Sequence, residues 1–327
     1  MLEKAINKNI SNRSRAIDLA KCLAVLLILN NHMKIIYPNA SFAFGGSLGN
    51  ALFFFVSGYT WSNLHNRKFF SWYAAKLERI WIPTVFTNIA YIFLFSVDID
   101  IIELFKIFIY PNKSWFCGAI LVYAIAYYFA AKKYDRSILF FIAILAVTYG
   151  TWYLFVLNRS RFSLEGFVNG GLCRFSHYAL CMLMGLVYKK NEDRINIKTG
   201  KFLLPVGIIL FFVSYGSKII IKKSLFLLQF QFVIQILTLA CAFCIFAGLR
   251  NYEPRLNKIK HSHFIVEKIA SYSWECYLVQ TQIIPLCARI RFPFNLLTAL
   301  FMICIFTWLL KKLCNIVFRL INKVFGS

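Results

Sequence analysis

Negative charge is what this sequence has least of: 13 Asp and Glu among 327 residues, against 37 Lys and Arg. Charged residues of both signs make up only 15% of the chain, and no polar stretch is long enough to form a soluble domain. A composition that is 60% hydrophobic and 18% aromatic therefore has no water-facing shell to cover it, which excludes an ordinary soluble globular fold. Internal repeats, low-complexity tracts and Pro-rich linkers are also missing, and so is any zinc pattern. The ten cysteines lie mostly inside apolar runs. Cys241 and Cys244 are spaced C-x-x-C but have no second pair or histidine nearby, so packing is their expected role and no metal is expected. His261 and His263 fall in a basic loop and are expected to be solvated.

What is present is apolar and periodic in length. Runs almost free of charge occur at about 18–36, 46–64, 80–97, 114–131, 137–157, 172–188, 202–221, 224–249, 269–288 and 292–310. Most have the roughly 20 residues that a helix needs to cross the hydrocarbon. The expected fold is all-α: a polytopic bundle of about ten transmembrane helices forming a single domain over 1–327, with a basic leader at 1–16 and a basic tail at 311–327. The net charge of +24 would point to nucleic acid in a soluble protein. Here the basic residues sit in short clusters between apolar runs, concentrated on alternate segments. That pattern predicts cytoplasmic termini, membrane lipid as the partner and no nucleic acid. The first run follows a basic leader without a convincing small-residue cleavage site and is expected to remain as a span.

Ionisable groups inside spans are costly in lipid, so each one is a functional candidate. Asp18, Lys21, His32, Arg174, His177 and Glu275 are the set. Lys21 and His32 are eleven residues apart, and eleven steps of about 100° end only about 20° beyond three full turns. They share a helix face, separated along the axis by about 16 Å. Asp18, one turn before Lys21, can pair with it. Snorkelling of Lys21 to the interface, with His32 as a boundary histidine, explains the same two residues without chemistry.

One helix later comes a phenylalanine-rich segment ending Phe54-Phe55-Val56-Ser57-Gly58. Lys76-Leu-Glu-Arg79 precedes Pro83, Ser114-Trp115-Phe116 opens a later helix, and Ser273-Trp-Glu-Cys-Tyr277-Leu lies near the C-terminus. In order and spacing these resemble the acyltransferase-3 family of membrane O-acyltransferases. That family carries R/K-x10-H and a phenylalanine-rich stretch closing on S-G in its first two spans, then a basic R-x-x-R element, a Trp-Phe opening and a late S-x-x-x-Y-L. Many relatives place a histidine where this chain has Gln280. The resemblance implies a multi-pass enzyme of the bacterial inner membrane, here without a fused hydrolase-like domain. It would move an acyl group, most often acetyl from acetyl-CoA as co-substrate, to a sugar hydroxyl of a surface glycan such as a capsule or lipopolysaccharide, or of its lipid-linked precursor.

Elementary chemistry fits that expectation. Acyl-CoA is polyanionic at its nucleotide end, and Lys21, Lys76 and Arg79 form a cationic cluster for its phosphates on the cytoplasmic side. His32 is the expected catalytic base, since an imidazole takes a proton from a hydroxyl near neutral pH; transient acyl carriage by the same ring stays open. Ser57, Tyr277 and Arg174 are candidates to stabilise the oxyanion. Ser57 with Gly58 serves equally as a small-residue helix contact. Arg174 and Trp115 are candidate acceptor contacts, and Arg174 reads as well as an interface arginine. Glu275 is a further candidate substrate contact, which either orients a catalytic group or pairs with a basic residue for packing. Two rivals compete. A transporter or flippase of a lipid-linked glycan would also carry many spans and few buried charges. A membrane glycosyltransferase would want the acidic groups that this chain lacks.

Overall fold

Ser14 opens the first helix, α1 (Arg15–His32), by accepting the Ile17 amide on its hydroxyl at 3.3 Å, and Asp18 adds negative charge to the first turn, where a helix N-terminus favours it. The structure, a computed structural model, describes residues 14–64, 67–96, 100–108, 115–156, 171–221, 224–258 and 263–325. The first part of the basic leader, His261 and the Lys222-Lys223 pair lie outside the described residues. Helices α2 (Gly46–Trp61), α3 (Phe69–Phe95), α4 (Ile101–Phe108), α5 (Trp115–Lys132), α6 (Tyr134–Thr151) and α7 (Leu172–Ile221) follow. Then come α8 (Leu225–Leu228), α9 (Gln231–Asn251), α10 (Glu253–Leu256), α11 (His263–Ser271), α12 (Ser273–Cys287) and α13 (Phe294–Phe325). No strand occurs among the described residues. The basic tail continues α13 as helix, and His263 begins α11 instead of lying in a loop.

Seven segments are long and apolar enough to cross a membrane by length and composition, fewer than the expected ten or so. The three expected spans outside that set are α3, the start of α7 and α12; α12 is too short at 15 residues, and all three carry buried polar side chains. Buried in α3 are Thr84, Thr87 and Asn88; in the start of α7, Ser176 and His177; in the 15 residues of α12, Glu275, Gln280 and Gln282. Polar side chains that lipid would penalise are turned inward, which lowers hydropathy without placing them in lipid. The eighth run also starts later than expected, at Gln231, because the short α8 precedes it.

α7 is one assigned helix of 50 residues, which straight would be about 75 Å long. Its neighbours show that it doubles back. Tyr178 stacks on Phe54 and Tyr188 packs on Tyr59, so the first limb follows α2 from its Gly46 end to its Trp61 end. Gly200 then lies against Asn251 and Gly207 against Ile245, and the Tyr215 hydroxyl donates to the Ser41 carbonyl at 3.0 Å, back beyond the start of α2. The stretches expected at 172–188 and 202–221 thus run in opposite directions. Helices α1, α2, α5 and α9 are half or more enclosed, whereas α6, the second limb of α7 and α13 present most of their surface outward. Exposed Leu139, Phe140, Val147, Phe212 and Phe301 fit a lipid-facing rim.

The turn of α7 is held at the bundle end where the cations gather, called the basic end below. Glu192 accepts from Arg250 Nε at 2.7 Å, Lys189 Nζ at 3.0 Å and the Tyr59 hydroxyl at 2.7 Å. Burial alone would raise its carboxyl; the hydrogen bonds from Tyr59, Arg250 and Lys189 outweigh that and hold it below the ordinary value. Arg250 and Ser14 both bond Glu253, and Arg15 donates to the Leu256 carbonyl at 2.6 Å, so the ends of α1, α2, α7 and α9 are tied through one network.

Close backbone approach joins α2 to α7. A Cβ on Gly58 would strike the Met182 carbonyl, and one on Gly185 would strike the Phe55 carbonyl, a reciprocal small-residue crossing. Gly58→Ala is expected to destabilise the detergent-solubilised protein by at least about 1–3 kcal/mol, the cost of overpacking against backbone that cannot swing away. Gly118→Ala on α5 has open space around its Cβ and should leave the melting temperature level or raise it slightly. Equal melting of the two variants would contradict this crossing.

Candidate active site

Lys76 stands on α3 with its ammonium 4.8 Å from the centre of the Trp61 ring and 5.7 Å from that of Trp72. Trp72 precedes it by one turn, so helical spacing puts ring and cation on one face. Burial, then the positive charges of Arg79, Arg67 and Lys21, push the Lys76 ammonium down to about 8. Arg79 of α3, Arg67 of the segment before it and Lys21 of α1 thus each lie within electrostatic reach of Lys76. Lys21, Lys76 and Arg79, singled out by spacing and by motif, are therefore brought together. Arg67 and the two tryptophans were not singled out, although the Trp72–Lys76 spacing was visible in the sequence.

Deeper in the bundle, three other candidates meet. The Arg174 guanidinium lies 4.2 Å from the centre of the Trp115 ring, and Tyr277, fully enclosed on α12, is within electrostatic reach of Arg174 and Tyr178. Phe116 ties them to the phenylalanine segment of α2, with ring centres 4.8 Å from Tyr277 and 4.3 Å from Phe54. Tyr178 lies beside Asn50 and Ser47 and packs on Trp115 at 5.5 Å. The result is a guanidinium ringed by phenols inside an aromatic box, a setting suited to developing negative charge.

Ser57 and Glu275 stand differently. The Ser57 hydroxyl donates to the Phe53 carbonyl of its own helix at 2.8 Å, beside the Gly58 crossing. Glu275 binds Lys311 of α13 at 2.7 Å, so of its two expected roles the geometry shows the pair with a basic residue, one supplied by the basic tail. His177 is buried with Cys181 Sγ 3.8 Å from Nε2, and Cys241 donates to the Gly207 carbonyl at 3.3 Å. Among the described residues no three His, Cys, Asp or Glu side chains come together.

His32 closes α1 at the opposite end from the cations, partly buried, and makes no hydrogen bond or ion pair among the described residues. Beside the end of α1, Gly46 rests on Asn31, and a cleft opens between α2, the second limb of α7 and α9, lined by Ser47, Phe211, Ser214, Tyr215, Lys218 and Thr238. Ser47 connects this cleft to Tyr178 and so to Arg174.

Apolar helices around an interior of buried polar side chains define a multi-pass membrane protein. A family model described as "Acyltransferase domain" matches residues 14–310. The chain belongs to the acyltransferase-3 family and is an acyltransferase. No match is found among curated proteins or among solved structures.

Proposed function

We propose that this protein moves an acyl group, acetyl in the simplest case, from acyl-CoA to a sugar hydroxyl of a bacterial surface glycan or its lipid-linked precursor. The carrying observation is that α1 bears Lys21, within electrostatic reach of Lys76, near one end and His32, with no hydrogen bond or ion pair among the described residues, at the other. On this reading the basic end faces the cytoplasm of the inner membrane, with both termini there. The polar helices α3, α12 and the first limb of α7 cross the bilayer with the seven apolar segments, for ten crossings.

Lys21, Lys76 and Arg79, joined by Arg67, hold the donor phosphates. The thiol arm extends along α1 and presents its thioester near His32. The acceptor enters by the Ser47–Tyr215 cleft, whose aromatic rings and hydroxyls suit a sugar. His32 takes the proton from the attacking hydroxyl; the oxygen of the thioester carbonyl becomes anionic as the new C–O bond forms, and is stabilised by the Arg174 cation, to which the Tyr277 phenol, nearer the basic end, is electrostatically coupled. Collapse breaks the C–S bond and expels the thiolate, which takes the proton back from the His32 imidazolium and leaves as coenzyme A, and the acylated glycan leaves. Trp115 positions Arg174, while Ser57 and Glu275 support the helices that carry the site.

The test is reconstitution. Purified protein in vesicles, given acetyl-CoA labelled on the acetyl group and a glycan extract, should place label in the glycan. Movement of lipid-linked glycan with no dependence on acyl-CoA would instead make the protein a flippase.

A further inference from the structure

Gln280 of α12 is fully enclosed, and neither its amide nitrogen nor its carbonyl oxygen has a hydrogen-bond partner among the described residues. An unpartnered amide in a low-dielectric interior is costly, and a native fold keeps one where something else completes it. Its direction follows from its neighbours. On α12, Glu275 and Cys276 face α13, where they meet Lys311 and Cys304. Gln282 faces α3, donating to the Thr87 carbonyl at 2.5 Å. Trp274 and Tyr277 face α5 through Phe116. At about 100° per residue, Gln280 points into the remaining sector, the one α1 fills.

Its depth is set in the same way. Tyr277 reaches Phe54 of α2 through Phe116, and Gly49, just over a turn before Phe54, rests on Ala24 and Ile28 of α1. Gln280 lies about 4.5 Å beyond Tyr277, away from the basic end. That sets it level with the middle of α1, between Lys21 and His32.

We propose that Gln280 binds an amide group of the donor's arm as it runs between the cation cluster and His32. The side-chain NH2 donates to the carbonyl of one amide of the arm, and the side-chain carbonyl accepts the N–H of the other. Pantetheine, with phosphate at one end, thiol at the other and two amides between, has that chemistry. The assignment rests on the acyl-CoA reading above.

Calorimetry on the full chain in lipid nanodiscs tests both and separates them, with coenzyme A and adenosine 3′,5′-bisphosphate, the nucleotide end without the arm, as probes. Wild type should bind coenzyme A more tightly than the bisphosphate. In Gln280→Leu, coenzyme A should bind about tenfold more weakly, with bisphosphate affinity unchanged. The ligand-free melting temperature should hold or rise, because an unpaired amide has been removed. Gln280→Met, closer in shape, should repeat the pattern. Unchanged coenzyme A affinity in both variants, or equal loss of both probes, overturns the Gln280 assignment and leaves the donor reading standing. Failure of wild type to bind either probe overturns both.

Discussion

His32→Ala is expected to lower acyl transfer by about 10²–10⁴-fold, the usual contribution of a positioned general base, with membrane insertion and abundance unchanged. Insertion should survive because His32 ends α1 and makes no hydrogen bond or ion pair among the described residues, so its loss strands no partner. The Gly49 contact with Ala24 and Ile28, which seats α1 against α2, lies a turn or more away from it. If His32 acts as base, apparent KM for acetyl-CoA should change far less than kcat, since phosphate binding sits about 16 Å away along the helix. Full transfer by His32→Ala in membranes would remove the imidazole from the mechanism.

Removing a cation from the cluster should do the reverse. Lys76→Ala or Arg79→Ala is expected to raise apparent KM for acetyl-CoA by about 10–100-fold, the worth of a charge-assisted hydrogen bond to phosphate, with little change in acceptor dependence. The pH profile gives a second readout. An ammonium lowered to about 8 is mostly charged at pH 7 and mostly neutral at pH 9. Wild-type affinity for the donor should therefore fall across that interval. Lys76→Arg, whose guanidinium stays protonated, should flatten the fall. A donor KM independent of pH from 7 to 9, or variants altered in acceptor dependence instead, would mean that the cluster does not bind the donor.

Much of the fold could be read from the sequence because hydrophobic run length is a local property. The Lys21–His32 register was legible for a similar reason: helical spacing alone puts both residues on one face of α1. Properties set by tertiary contact were not legible. Arg174, Trp115 and Tyr277 stood out singly, but only packing through Phe116 shows them as one box. Lys311 looked like the start of a solvated tail, yet its long side chain reaches back to Glu275. The shortfall in apolar spans has in part the same root, since inward polar residues in α3 and the start of α7 depress hydropathy, while α12 is too short at 15 residues. Gln280 carries no charge to betray it, and its lack of a partner exists only once the surrounding helices are in place.

The central claim is that an acyl group crosses this bundle to a glycan, and mass analysis of surface glycans from cells with and without the protein tests it most directly. Acetyl transfer predicts that glycans from cells lacking the protein are lighter by about 42 Da at each modified sugar, one acetyl in place of one hydroxyl hydrogen. Restoring wild type, but not His32→Ala, should bring that mass back. Identical glycan masses in all three strains would contradict the account.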